Sequence, residues 1–264
     1  MLIIGERINS SRKAIREAVS TCDRKAVQEE AKQQAAAGAD YLDVNAGTFV
    51  GEEAERLKWL IEAVQEVSDL PLCVDSPDPG VIKAVLPLVK KKPMINSVTL
   101  EKARIEGILP LVKEYGAKVI GLCQSEGVVA DRIDAKVEMA SRLADEFNRW
   151  GIPLDDCYID PLVYPLGTNH FSAWETVEAI ARIARELPAV HTICGLTNVS
   201  YGLPNRGLVN RAFLTACVTR GLDSAILDPA DKHLWAALKA ALLVAGRDEF
   251  CADYLHAFRA GRLD

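Results

Sequence analysis

Short apolar runs recur along the chain. Each is followed by a polar turn and then by a stretch with apolar residues three and four apart. The runs predict strands at 2–4, 41–44, 71–74, 93–95, 119–123, 157–159, 189–194 and 224–227. Between them, helical spacing predicts helices at 25–37, along the Ala54, Leu57, Leu60, Ile61, Val64, Val67 stripe, and at 81–90 with Pro87 near its end. Further helices are expected at 105–115, interrupted or kinked at Pro110, and along Val137, Ala140, Leu143, Ala144 and Phe147. Ser172 and Glu175 read as a capping box for a helix carrying Val177, Ile180, Ala184 and Leu187. Helices at 208–221, from an Asp231 cap to Ala245, and at 249–259 complete the pattern.

Gly38-Ala39-Asp40, Gly116-Ala117-Lys118 and Gly221-Leu222-Asp223 repeat one logic of helix stop, short turn and strand. Alternating strands and helices imply a parallel sheet, and eight units imply closure. The expected architecture is α/β, a TIM (β/α)8 barrel, formed by a single domain over 1–264. An open doubly wound sheet is the second choice. It carries a Gly-rich phosphate turn after its first strand, and Gly5-Glu6-Arg7 is not one.

Composition narrows the picture. Hydrophobic residues are 49% and charged residues 26%, an ordinary globular balance. A net charge of −6 argues against nucleic acid, whose phosphates call for a basic face. No apolar run has the length of a membrane span or of a secretory leader. The 7 cysteines are scattered and never spaced as C-x-x-C, so they are expected to be buried free thiols in a reducing cytoplasm.

The candidate chemistry lies just past the strands. Glu6, Asn45, Asp75, Asn96, Gln124, Asp160, Asn198 and Asp228 each follow an apolar run. In a barrel such positions converge on one mouth, where active sites sit. Acids and amides dominate, with Arg7 and Arg206 as the main basic candidates. That set suits a flat heterocycle offering several N–H donors and a carbonyl; a phosphorylated sugar calls for basic groups instead. Asn198 lies in the richest loop, 194–206, and reads as the most important polar side chain.

Other chemistries lack their residues. Lys118 starts its strand, the wrong end for a Schiff base, and the 4 histidines have no metal-ligand spacing. No metal site is expected, and no G-x-S-x-G elbow is present. Asp231-Lys232-His233-Leu234-Trp235-Ala236 approaches the cobalt-ligating D-x-H-x-x-G pattern but ends in alanine. Asp231 reads as a helix cap and His233 as a surface or packing residue.

Gly5-Glu6-Arg7-Ile8-Asn9, Asp43-Val44-Asn45, Val74-Asp75-Ser76, Met94-Ile95-Asn96-Ser97, Ile159-Asp160-Pro161 and Gly195-Leu196-Thr197-Asn198-Val199-Ser200 resemble the pterin-binding methyltransferases. Within that family the pattern is similar to methyltetrahydrofolate:corrinoid (iron–sulfur) protein methyltransferases, and to the folate domain of cobalamin-dependent methionine synthase. The resemblance implies methyl transfer between N5 of tetrahydrofolate and the cobalt of a corrinoid held by a partner protein, in a homodimeric barrel. It places pterin contacts at Asp75, Asn96, Asp160, Gly195 and Arg206, and the catalytic amide at Asn198. Glu6 and Tyr201 join them as binding candidates, with Tyr201 and the loops 124–131 and 162–171 as candidate docking surface. Two alternatives stay open. One is a dihydropteroate synthase-like enzyme, although that family's lysine and S-R-K-type anion site are missing from the later strands. The other is a non-catalytic folate-binding component of a demethylase complex.

Overall fold

The eight strands of the main sheet are short and run in the same direction. They are β1 (Leu2–Asn9), β2 (Tyr41–Asn45), β3 (Leu72–Asp75), β4 (Met94–Val98), β5 (Lys118–Leu122), β6 (Cys157–Asp160), β7 (His191–Thr192) and β8 (Ser224–Leu227) in a computed structural model that describes residues 1–263. They pair in parallel in the order β8-β1-β2-β3-β4-β5-β6-β7. An isolated parallel bridge between Gly195 and Ile226 joins the two ends into a barrel. β1 runs on past its expected end at residue 4, and β7 is shorter than its expected span of 189–194. After Thr192 the backbone divides its hydrogen bonds between two neighbours: Ile193 N–H donates to Ile159 O at 2.9 Å, while Cys194 O accepts from Ile226 N–H at 3.0 Å.

The helices are α1 (Lys13–Ser20), α2 (Arg24–Ala37), α3 (Glu53–Gln65), α4 (Pro79–Val85), α5 (Lys102–Tyr115), α6 (Ile133–Trp150), α7 (Ser172–Glu186), α8 (Arg206–Thr219), α9 (Lys232–Val244) and α10 (Ala252–Arg259). Helix α1 was not expected from the sequence, although it buries Ile15, Ala18 and Val19 at helical spacing. Helix α5 runs through Pro110 as one element rather than being interrupted there. The Pro87 region closes as a short 3-10 turn, Leu86–Leu88. Asp231 caps α9 as expected, its side chain accepting from Leu234 N–H. Gly38 ends α2 in the left-handed region at φ 103°, and a Cβ there would meet Trp235 Cη2 at 2.8 Å.

The Ser172–Glu175 capping box does not form. Ser172 is the first helical residue rather than the cap, and its hydroxyl instead accepts from Tyr164 N–H at 2.7 Å, tying the preceding loop to the helix start. The thiols also divide. Cys73, Cys123, Cys157, Cys194 and Cys217 are buried, while Cys22 and Cys251 are exposed at turns outside the strands and helix cores.

Two layers of apolar packing hold the barrel. One lies between strands and helices, with Leu42, Val44, Leu57, Leu60 and Ile61 among its fully buried members. The other fills the interior, where Ile4, Tyr41, Cys73, Met94, Ile120, Tyr158 and Ile193 form one buried cluster. Strand side chains alternate between these layers, since successive residues point to opposite faces. At the amino-terminal end the interior is plugged by Lys118, whose Nζ donates to Tyr158 Oη at 2.6 Å, the end expected for that lysine.

Candidate active site

The period of two that builds the interior also builds the site. Two residues beyond each member of the interior cluster stand Glu6, Asp43, Asp75, Asn96, Leu122, Asp160 and Gly195. The plug is therefore apolar at mid-barrel and becomes acid and amide at the carboxyl-terminal mouth. A cavity of about 470 Å³ opens there, a size suited to a small-molecule ligand.

Of the sequence candidates, Glu6, Asp75, Asn96, Gly195, Asn198, Tyr201 and Arg206 line this cavity. Asp160 lies behind it, its carboxylate accepting from Leu162 N–H at 2.7 Å and Gly195 N–H at 3.3 Å. Three other mouth residues have duties outside the cavity lining. Asn45 Nδ2 donates to Asp75 Oδ2 at 3.0 Å, and Asp228 pairs with Arg7 at 3.1 Å. Gln124 belongs to a small hairpin with Val128–Val129 and borders a neighbouring recess that shares Asp75 and Asn96. Arg7 is therefore not a free cation at the mouth; Glu30 and Asp228 hold it. The expected docking loop 124–131 includes the Val128 and Val129 side chains, which lie outside the described parts.

Two charged lining residues were missed as site candidates. Asp43 sits within its strand rather than after it, and its Oδ1 accepts from Asn96 Nδ2 at 3.4 Å. The signal was an acid inside an apolar strand, one alternation before the residue chosen. Arg12 enters from the loop after β1, where no periodicity marks it.

Asn198 is carried by a short 3-10 turn, Leu196–Ser200, that the surrounding chain fastens on several sides. Leu196, Val199 and Ser200 are buried, while Asn198 is exposed towards the cavity. Thr197 Oγ1 donates to Glu6 Oε2 at 3.1 Å, and Arg206 donates to Thr197 O at 2.7 Å and Ser200 Oγ at 3.0 Å. Leu166 N–H donates to Val199 O at 3.0 Å. Gly195 is pinned close by: a Cβ there would lie 3.4 Å from Asn198 Nδ2. The amide is thus presented on a rigid support. Tyr201, next along, is 68% exposed at the rim, with the Arg206 guanidinium 6.0 Å from its ring centre.

Electrostatics follow from burying several acids together. Burial pushes Glu6 up to about 7, with the Thr197 hydroxyl partly offsetting it and Asp228 adding to it. Burial raises Asp75 to about 6 against the opposing hydrogen bond from Asn45. Asp160 also rises to about 6 through burial, offset by the N–H groups of Leu162 and Gly195. Asp43 goes well above the usual carboxylate range, through burial first and the nearby Asp75 second. These acids are short of donors. A ligand bringing N–H groups would supply the hydrogen bonds that water gives an exposed carboxylate.

The chain matches the "Pterin binding enzyme" family over residues 5–228. It is 36% identical to the methylcorrinoid:tetrahydrofolate methyltransferase of Eubacterium limosum over 266 residues, covering 100% of this chain and 98% of that protein. It is 34% identical over 240 residues to methionine synthase of Mycobacterium leprae, matching 86% of this chain but 20% of that longer protein. Among solved structures, a dihydropteroate synthase from Coxiella burnetii in complex with pteroic acid superposes at a TM-score of 0.67, covering 92% of this chain and 93% of the other at 16% identity. A dihydropteroate synthase from Xanthomonas albilineans gives 0.64, with 92% and 90% covered at 23% identity. At those identities the likeness is one of fold.

Proposed function

The chain belongs to the pterin-binding enzyme family, and on that premise we propose that it is a methyltransferase working between N5 of tetrahydrofolate and the cobalt of a corrinoid carried by a separate protein. The observation that carries the reading is Asn198, held on a fastened turn beside Gly195 in a cavity ringed by donor-poor acids. Full-length identity of 36% to a methylcorrinoid:tetrahydrofolate methyltransferase supports it.

Reduced pterins fit the ring chemically. The 2-amino group and ring N–H groups are donors, and Asp75, Asp160 and Asp43 are acceptors waiting for them. Asn96 both gives and accepts. Glu6, Gly195, Tyr201 and Arg206 complete the contact set, with Gly195 leaving room for a ring to approach the backbone.

The reaction is a displacement at a methyl carbon. In the direction of the relative's name, N5 attacks the methyl group of methylcobalt(III), the cobalt–carbon electron pair stays on cobalt as cobalt(I), and N5 gives up its proton. In reverse, cobalt(I) attacks the methyl of 5-methyltetrahydrofolate, and N5 gains a proton as its bond to carbon breaks. Asn198 is not an acid or base. Its role is a hydrogen bond to N5 that strengthens as charge changes there, with the proton passing through water. The two folate species are substrate and product.

The test is anaerobic mixing of the purified chain with tetrahydrofolate and methylcobalamin, watching for cobalt(I) absorbance. Catalysed appearance of cob(I)alamin and 5-methyltetrahydrofolate supports the assignment. Folate binding without a spectral change would favour the non-catalytic folate-binding component, and absence of binding would remove the pterin reading altogether. A dihydropteroate synthase would instead condense a pterin diphosphate with p-aminobenzoate, a second assay on the same sample. A homodimer belongs to the same proposal, and a sedimentation mass near twice 28.8 kDa is the expected result.

A further inference from the structure

A lysine with no access to solvent lies behind the mouth. Lys136, on α6, is 0% exposed, and a charge in such a place persists only when something compensates it. Here two backbone carbonyls do so: Nζ donates to Pro161 O and to Leu162 O, both at 2.5 Å. The Tyr164 ring lies 5.4 Å from the ammonium.

Those carbonyls belong to the turn that follows Asp160. Leu162 sits in the left-handed region at φ 57°, a conformation that a non-glycine side chain keeps only when its surroundings demand it. Three contacts demand it: Leu162 N–H donates to Asp160 Oδ1 at 2.7 Å, and Leu162 O accepts from Lys136 and from Thr176 Oγ1, the latter at 3.1 Å. Asp160 is therefore oriented by a turn that is itself oriented by a buried cation.

We propose that Lys136 is a positioning residue for Asp160, clamping the Pro161–Leu162 turn that aims the carboxylate and placing a positive charge behind it. This rests on the reading of Asp160 as a pterin contact. The groups that face Asp160 leave that charge to Lys136. Cys123 after β5, Cys194 after β7 and Cys217 on α8 are buried thiols pushed above their ordinary range, hence neutral. Tyr164, in the loop after β6, is likewise raised by burial, first, and by Asp160. Burial pulls Lys136 below its ordinary range, and the charges of nearby groups, Asp160 and, on α7, Glu175 among them, oppose that fall. Asp160 itself is held at about 6 by burial, the Lys136 charge opposing further rise. Removing the charge while keeping a donor separates the two parts of the role.

The experiment measures the dissociation constant of 5-methyltetrahydrofolate from pH 5 to 8 for the wild-type chain, Lys136→Gln and Lys136→Arg. Wild-type affinity is expected to fall as pH drops through about 6. In K136Q that fall should begin about one pH unit higher, with affinity reduced about twofold at pH 7 and about tenfold at pH 5, and K136R should keep the wild-type midpoint. A K136Q curve that coincides with wild type overturns the proposal. So does a K136Q chain that fails to fold by circular dichroism, which would make Lys136 a residue of global stability rather than of the site. If the wild-type chain itself binds no folate, the pterin reading fails first, and the two failures are distinguishable.

Discussion

Glu6→Gln gives the sharpest check on the idea that the mouth is overloaded with acid. In the free protein the Glu6 carboxyl is buried beside Thr197 and rises from 4.5 to about 7. Between those values the folded chain holds a proton that the unfolded chain has released. Stability therefore falls as pH rises through that window, and the loss is complete above about pH 7. At about 1.4 kcal/mol per pH unit, ionising Glu6 in the fold costs roughly 3 kcal/mol. Glutamine keeps an oxygen to accept from Thr197 and never ionises. The variant should therefore match wild type near pH 4 and exceed it by roughly 3 kcal/mol near pH 8. Urea unfolding of both chains across that range, without folate, reads the difference directly. Parallel stability curves, with an offset that does not change with pH, would refute the burial argument.

The remaining expectations concern the site and its frame. Asn198→Ala should slow methyl transfer about 100-fold, on the scale of one lost preorganised donor, in the cobalt absorbance assay, while folate affinity changes little; a rate within threefold of wild type contradicts the role. Asp160→Ala should weaken folate binding by titration calorimetry before it affects the chemical step, and unchanged affinity contradicts its place in the contact set. Folate uptake near pH 6 should release protons, because Asp75 and Asp160, both raised to about 6, must ionise to accept N–H donors; calorimetry in buffers of different ionisation heat measures this, and proton uptake would contradict it. Gly38→Ala should cost about 2 kcal/mol in urea unfolding, through the left-handed backbone and the Trp235 contact.

Much of the frame was legible because two periods repeat throughout the chain. The alternation of β8 marked its span, Ser224–Leu227, without error, and glycines at 38, 116 and 151 marked helix ends that the structure places in the left-handed region. β7 was overestimated because apolar residues 189–194 look like one strand, whereas closure of the barrel makes the backbone change partners at Ile193. Helix α1 carried its signal at Ile15, Ala18 and Val19, hidden among charged neighbours.

The mouth was legible as a class of position and less so residue by residue. Choosing the first polar residue after each apolar run selected Asn45 and passed over Asp43. The stricter rule, two residues beyond each interior apolar side chain, gives Glu6, Asp43, Asp75, Asn96 and Asp160 together. Arg12 and the support of Asn198 by Arg206 depend on loop conformation, which no periodicity encodes. Lys136 was invisible for a different reason: in sequence it looks like one more solvated lysine on a helix, and only the fold turns it inward.

A crystal structure of the chain with 5-methyltetrahydrofolate tests the central claim most directly. The pterin ring is expected in the mouth, with its N–H edge on Asp75, Asn96 and Asp160 and with N5 within hydrogen-bond reach of the Asn198 amide. A folate seated elsewhere, or one whose N5 faces away from Asn198, would contradict it.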